Sequence, residues 1–377
     1  MWKLMHDQAV SEEDKKVLSD FILSSNRFTK FKLVDEFEES WSRWQGCKYS
    51  VFVNSGSSAN LILVDGLKHL FGPGLWVNQA ITWATNVAPI IQLGMNSQLC
   101  DISLDNFGPD LVCLEQIFKQ MSPKFLFLTH LIGFPSISDK LMNLCQEHGV
   151  HLVEDCCESH GAKFGNKKVG NFGIASTFSF YYGHHMNTIE GGMVCTDNEE
   201  LYHLLLLLRS HGLLRELPDE IQKDNIVPDV DPYFTFLIPG YNVRNTEIQA
   251  LLGLQQLARL DEFIEIRNNN IKFFFDNLDN TKYYANYDLT GVSSFCLPII
   301  SRNDNISKIR ECLINLGIEF RPLISGNLYR HPMMFNVNQL RHDVNAEFAH
   351  NQCVYVGNHP GIQLDDLKLL IEELNSL

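Results

Sequence analysis

Ser179-Phe180-Tyr181-Tyr182-Gly183-His184-His185-Met186-Asn187-Thr188-Ile189-Glu190-Gly191-Gly192 decides how this chain folds, because one strand ends inside it and another begins at its close. Residues 175–181 read as the first strand and 191–196 as the second. The loop between them carries two adjacent histidines and closes on an acidic residue and two glycines. Ser179 lies five positions before His184, and Glu190 six positions after it. An unperturbed imidazole titrates near ~6.5, so such a histidine suits proton transfer at neutral pH better than an ammonium of roughly 10.4.

The same alternation extends outward. Val51-Phe52-Val53 runs into Asn54-Ser55-Gly56-Ser57-Ser58-Ala59-Asn60 and an apolar-periodic helix over 59–70. Strands are predicted at 98–102, 125–129 and 151–154, with helices at 85–93, 110–119 and 139–148. Strand–helix alternation of this kind builds an α/β layer with a largely parallel sheet. A helix over 199–210 follows, then a polar loop over 216–231 with Pro218 and Pro228. A long helical region starts near Thr246, its apolar side marked by Ile248, Leu251, Leu252, Leu254, Leu257, Leu260 and Phe263. Segments 295–300, 306–316, 318–321 and 365–374 read as a compact α+β unit. The chain, at 377 residues, is long enough for two cores, since single cores stop growing near ~250–300 residues. The expected division is 1–250 for a large unit and 251–377 for a small one.

Composition narrows the function. Thirty basic against 45 acidic residues leave a formal charge of −15, which argues against nucleic acid or a membrane surface as partner. A few local donors can still hold a small anion. The first ten residues lack a basic start and an apolar run, so no secretory leader is expected. The leucine tract 204–208 is too short to span a bilayer. Ten scattered cysteines without a leader imply reduced thiols and a cytoplasmic protein.

Other stretches carry chemistry, each with an ordinary reading beside it. Gly56 and Ser57 open a helix after a strand, where free amides hold anions; a plain serine-capped turn looks the same. Val153-Glu154-Asp155-Cys156-Cys157-Glu158 ends a strand in carboxylates, at the edge where open α/β sheets bind ligands. There Asp155 either pairs with a pyridinium nitrogen or caps the next helix, and Glu158 either meets a ring hydroxyl or sits in a first helical turn. Trp83 either stacks on a flat ring or packs in the core. Thr246 and Gln249, at the end of 240–250, are spaced as a capping box. Adjacent His184 and His185 point different ways and have no suitably spaced acid or thiol, so no metal is expected.

Taken together, 54–60, 82–89, 154–162, 179–192 and 240–250 resemble the DegT-type sugar aminotransferase family of the aspartate aminotransferase fold, over nearly the whole chain. The resemblance implies pyridoxal 5′-phosphate or pyridoxamine 5′-phosphate as cofactor, and a homodimer with shared active sites. Gly56, Ser57 and Ser179 would hold the cofactor phosphate, Trp83 would stack on the ring and Asp155 would pair with its nitrogen. Glu158 takes a position usually filled by glutamine, and Asn242 would reach the cofactor of the neighbouring subunit. His184 stands where the family carries its cofactor-linking lysine.

That departure looks like the branch that deoxygenates carbon 3 of a GDP-linked 4-keto-6-deoxy sugar, with L-glutamate as amino donor, on the way to 3,6-dideoxy sugars. The stretch 321–332 resembles a sugar-binding segment, and His211 and Arg321 are candidates to grip the sugar. A second histidine-bearing branch uses an iron–sulfur cluster. Beyond Cys195 this chain has only Cys296, Cys312 and Cys353, with no close pair to hold one. A 4-aminotransferase and a non-catalytic cofactor-binding regulator are the rival readings.

Overall fold

Seven strands form the central sheet in the computed structural model, which describes residues 2–5, 9–335, 337 and 339–377. Across the sheet they run Tyr49–Val53, Gly192–Thr196, Ala175–Ser179, His151–Asp155, Phe125–Thr129, Leu75–Gln79 and Asn96–Cys100. Six point one way, and Gly192–Thr196 alone runs against them. Phe125–Thr129 and Ala175–Ser179 are buried at every position, as expected where helices cover both faces. Alternation across the pleat sends Val51 and Val53 to one core, with Ile62, Leu63 and Trp76, and Phe52 to the other, with Phe37, Trp41 and Phe178.

Helices Gly56–Phe71 and Glu199–Arg209 pack together on the first face, Lys32–Gln45 and Glu247–Leu257 on the second. The start of Lys32–Gln45 has no side-chain cap of its own, because Phe31 offers no acceptor. Buried Glu247 supplies one, accepting from the amides of Phe31, Leu33 and Val34 at 2.8, 2.9 and 3.0 Å. The capping box at Thr246 is not formed, since its hydroxyl donates to the Gln249 side chain instead.

Other departures have local causes. The helix expected over 85–93 is a 3-10 turn, Ala84–Asn86, followed by a short helix Ala88–Gln92 that begins around Pro89, whose missing amide hydrogen suits a first turn. Strand Leu75–Gln79 gives no apolar signal because Asn78 and Gln79 interrupt it. Both are buried, and their amides donate to the carbonyls of Asn86, Phe107 and Thr129. The long helix is two pieces, Glu247–Leu257 and Leu260–Asn277. The loop over 216–231 includes a helical turn and a half, Asp219–Asp224.

A second, antiparallel sheet places Cys353–Gly357 between Cys296–Ile300 and Phe320–Pro322. Its core of Leu297, Ile299, Leu313 and Val354 runs on into Ala80, Ile81, Leu131 and Ile132, from loops at the carboxyl end of the large sheet. The first residues return to this unit. Trp2 pairs with Ile318, and its Nε1 donates to the Gly357 carbonyl at 3.0 Å.

Candidate active site

The carboxyl ends of the parallel strands converge on one cavity of about 340 Å³, inside the ~300–1,000 Å³ range of small-molecule sites. Strand Tyr49–Val53 delivers the N-terminus of helix Gly56–Phe71, where Ser55 Oγ accepts from the Ser58 amide at 3.0 Å. Gly56 and Ser57 occupy its first turn, where amides have no helical acceptor, and both line the cavity. A Cβ on Gly56 would lie 2.6 Å from Ser179 Cβ. One on Gly192 would lie 2.3 Å from the Ser55 carbonyl oxygen and 2.6 Å from the Gly56 nitrogen. Only glycine fits at either place, so the serine and Glu-Gly-Gly spacing serves to seat the helix start against two strand ends.

Asp155 closes strand His151–Asp155 almost wholly buried. Its Oδ1 accepts from the Cys157 amide at 2.8 Å and its Oδ2 approaches Asn60 Nδ2 at 3.4 Å. A turn, not a helix, follows, so neither Asp155 nor Glu158 acts as a helix cap. Glu158 accepts from the Ile132 amide at 2.9 Å. Burial, helped by the Asp155 carboxylate and opposed by that amide, pushes its acid up to about 8. Glu158 is therefore a neutral hydrogen-bond donor at pH 7. Trp83 is 55% exposed and lines the cavity instead of packing in the core.

His184 follows the end of Ala175–Ser179, its amide donating to the Tyr181 carbonyl at 3.0 Å. Its ring lies 5.3 Å from that of Phe295, and its Nδ1 is buried without a partner among the described residues. Part of the imidazole opens to the cavity, yet protein surrounds it. Burial lowers its pKa to about 4, against the Cys157 backbone and with a smaller push from Arg267. It is a neutral base at pH 7. His185 points elsewhere, into a buried contact of Nε2 with the Ser293 carbonyl and hydroxyl, both at 3.1 Å.

Three site candidates lie off this cavity. Asn242 is exposed. His211 is exposed at φ 61°, its amide on the Tyr241 carbonyl. Arg321 is exposed on the small sheet opposite Tyr355, which does line the cavity. Sequence reasoning assigned no role to Asn60, Tyr181, Glu190, Phe295, Ile324 or Tyr355, all of which line it. Nor does anything local foretell that Ile132, Ile189 and Ile324 take positive φ, at 48°, 70° and 51°. Such a conformation costs a residue about 1–3 kcal/mol. Here it aims the Ile132 amide at Glu158, ends the His184 loop and sets the wall at Ile324.

A second chemical cluster, His130 with Glu154 and Cys156, is committed to structure. His130 Nδ1 accepts from the Ser136 amide, so its Nε2 proton goes to Glu154 at 3.0 Å. Glu154 also accepts from the amides of Gly170, Phe172 and Gly173.

The helix-start cradle, exposed Trp83, buried Asp155 and donor Glu158 fit pyridoxal phosphate, and with the parallel sheet they define a vitamin B6 protein of the aspartate aminotransferase fold. More narrowly, the chain belongs to the DegT/DnrJ/EryC1/StrS aminotransferase family, matched over residues 8–375. It is 34% identical over 367 residues to the GDP-4-keto-6-deoxy-D-mannose 3-dehydratase of Escherichia coli O55:H7, covering 94% of each chain. A histidine-to-asparagine variant of GDP-4-keto-6-deoxymannose 3-dehydratase with bound GDP-perosamine has a TM-score of 0.92 and 30% identity, over 99% of this chain and 100% of that one. The same enzyme with a trapped PLP–glutamate geminal diamine gives 0.91 and 31%, over 99% and 100%.

A Cβ at residue 56 is expected to push the helix start from Ser179. Gly56→Ala should therefore weaken pyridoxal phosphate binding by about 1–3 kcal/mol, roughly 5–150-fold. Fluorescence titration of the apoprotein measures this, and an unchanged affinity would remove the cradle.

Proposed function

We propose that this protein is a pyridoxal-phosphate-dependent nucleotide-sugar 3-dehydratase, removing the oxygen from carbon 3 of a GDP-linked 4-keto-6-deoxy sugar. One observation carries the reading: a neutral imidazole, His184, lines the cavity where the family's lysine belongs. The 3-dehydratase relatives, with GDP-perosamine and a PLP–glutamate adduct in their structures, support a GDP sugar as substrate and L-glutamate as amino donor.

When bound, pyridoxamine phosphate supplies the amine that condenses with the 4-keto group and a ring that stores an electron pair. The chain's residues do the rest. Gly56 and Ser57 amides and the Ser179 hydroxyl would hold the phosphate, and Trp83 would cover the ring. Asp155 would keep the ring nitrogen protonated, and Glu158, as a neutral acid, would donate to the ring oxygen. His184 would serve as the proton carrier, taking a proton from the cofactor's 4′ carbon and giving it to the oxygen that leaves carbon 3. The oxygen would leave as water, and hydrolysis of the amino product would release ammonia and the keto sugar.

The working unit is a homodimer in this reading. Ile226, Val230, Tyr233, Phe234 and Phe236 form an exposed apolar stretch that calls for cover, and Asn242 lies outside its own chain's cavity. We divide the chain near residue 250 into a cofactor-holding unit and a smaller lid-side unit. No described helix is long and apolar enough to cross a membrane, and ten free cysteines favour the cytoplasm.

Incubation with a GDP-linked 4-keto-6-deoxy sugar, pyridoxal phosphate and glutamate tests the function. Free ammonia and a 3-deoxy product are expected, whereas an amino sugar without ammonia would make the protein a 4-aminotransferase. The pH profile is a second check. His184 works only when neutral, so activity should fall with acid near its lowered pKa of about 4 and not near 6.5. Glu158 donates only while protonated, so kcat/KM should fall as pH rises through about 8. Glu158→Gln should abolish that basic limb, and a profile that keeps it would assign the limb to another group.

A further inference from the structure

Arg209 and Arg267 are buried and Arg259 is half-buried, and Arg267 is unlike the other two. Arg209 pairs with Glu38, and Arg259 lies 2.6 Å from Asp14. Arg267, on helix Leu260–Asn277 and 5% exposed, meets no carboxylate among the described residues. Its guanidinium donates to backbone carbonyls only: Phe295 at 2.9 Å, Asn358, and His184 at 3.2 Å. Nε is buried without a partner.

Those three carbonyls are not arbitrary. Phe295 precedes strand Cys296–Ile300 of the small sheet and presses its ring on His184. Asn358 follows strand Cys353–Gly357, and its side-chain amide returns a bond to the Arg267 carbonyl at 2.8 Å. One fork thus ties the loop bearing the proton carrier to the central strand and one edge strand of the sheet that walls the cavity. A buried unpaired cation is costly, and surrounding structure retains one only against several fixed dipoles.

We infer that Arg267 is the positioning residue for His184, fixing its backbone against the small sheet and placing a cation beside a cluster of imidazoles. The groups around His184 are consistent with this. His160 lies against it and His185 against His160, and burial, with smaller pushes from neighbouring imidazoles and Arg267, holds both well below the ordinary imidazole range. Tyr181 packs on it from its own loop, and Cys157 approaches through its backbone. From the small sheet come Tyr355, across the cavity, and Cys296, beside Arg267; burial raises both, so neither is an anion at pH 7. Asp155, Glu158 and Glu190 line the same cavity as His184 from other elements. Arg267 itself is brought down to about 10 by burial and stays charged throughout the working range.

The inference rests on His184 as the base, and the test separates the two. In apoprotein labelled at histidine Cε1, with His184→Asn to assign the signal, the His184 titration is followed by NMR without any turnover. Arg267→Gln should move that midpoint upward, and with cofactor and substrate it should lower kcat by about 10–100-fold with little change in KM, the scale of a misplaced reacting group. Arg267→Lys keeps the charge but not the fork, so it should leave the midpoint in place and still lose kcat. A purely structural arginine would lower the melting temperature of both variants while midpoint and kcat stayed at wild-type values, and that result overturns the inference. Should Arg267→Gln not fold, full kcat in Arg267→Lys alone would overturn the anchoring role. Inactive wild-type enzyme with a normal Arg267 effect on the midpoint would sink only the dehydratase reading.

Discussion

Replacing His184 by asparagine should leave the cofactor bound and slow the loss of the carbon-3 oxygen by about 10²–10⁴-fold, the usual worth of a positioned acid–base group. Asparagine keeps much of the imidazole's bulk beside Phe295 but cannot take a proton. Cofactor affinity should hold because Gly56, Ser57 and Asp155, proposed to grip it, enter from other strand ends. Single-turnover measurement of deoxy-sugar formation, alongside cofactor titration, gives both numbers. Unimpaired turnover would remove His184 from the proton path. Lysine at the same position is informative in the opposite sense. It restores the amine, so the variant should form a covalent, borohydride-reducible bond to the cofactor that the wild-type protein does not form.

Asp155→Asn should be the next most damaging change. The side chain is 3% exposed, and its Oδ1 is held by the Cys157 amide, so the variant keeps the shape and loses the charge. Removing one member of a buried charge pair costs about 3–5 kcal/mol, which corresponds to roughly 10²–10⁴-fold if it falls on the transition state. The cofactor's absorbance should report the loss of the protonated ring nitrogen independently of rate. A variant with wild-type spectrum and rate would place the pyridinium partner elsewhere.

The large sheet was legible because its strands are buried on both faces and read as short apolar runs between periodic helices. Leu75–Gln79 escaped because Asn78 and Gln79 are buried by donating their side-chain amides to backbone carbonyls of other segments, while hydropathy scores them as polar. The small sheet was half visible. Its central strand, Cys353–Gly357, is only five residues long and follows a helix directly, so neither turn residues nor alternation announce it. Within the site, residues at strand ends could be placed in advance, since position at a carboxyl edge follows from topology. Phe295, Ile324 and Tyr355 could not, because they enter from the small sheet and the segments beside its strands, whose docking depends on the merged core around Ile132 and Leu297. The three isoleucines with positive φ run against local preference, and only the tertiary contacts hold them there.

No lysine is among the described residues that line the cavity. Among those residues no side-chain amine can hold vitamin B6 as a Schiff base between cycles. Retention then depends on hydrogen bonds and stacking, which dilution undoes. In a cell such a protein would trade its coenzyme with the free pool, and its output would track B6 supply as though the vitamin were a second substrate.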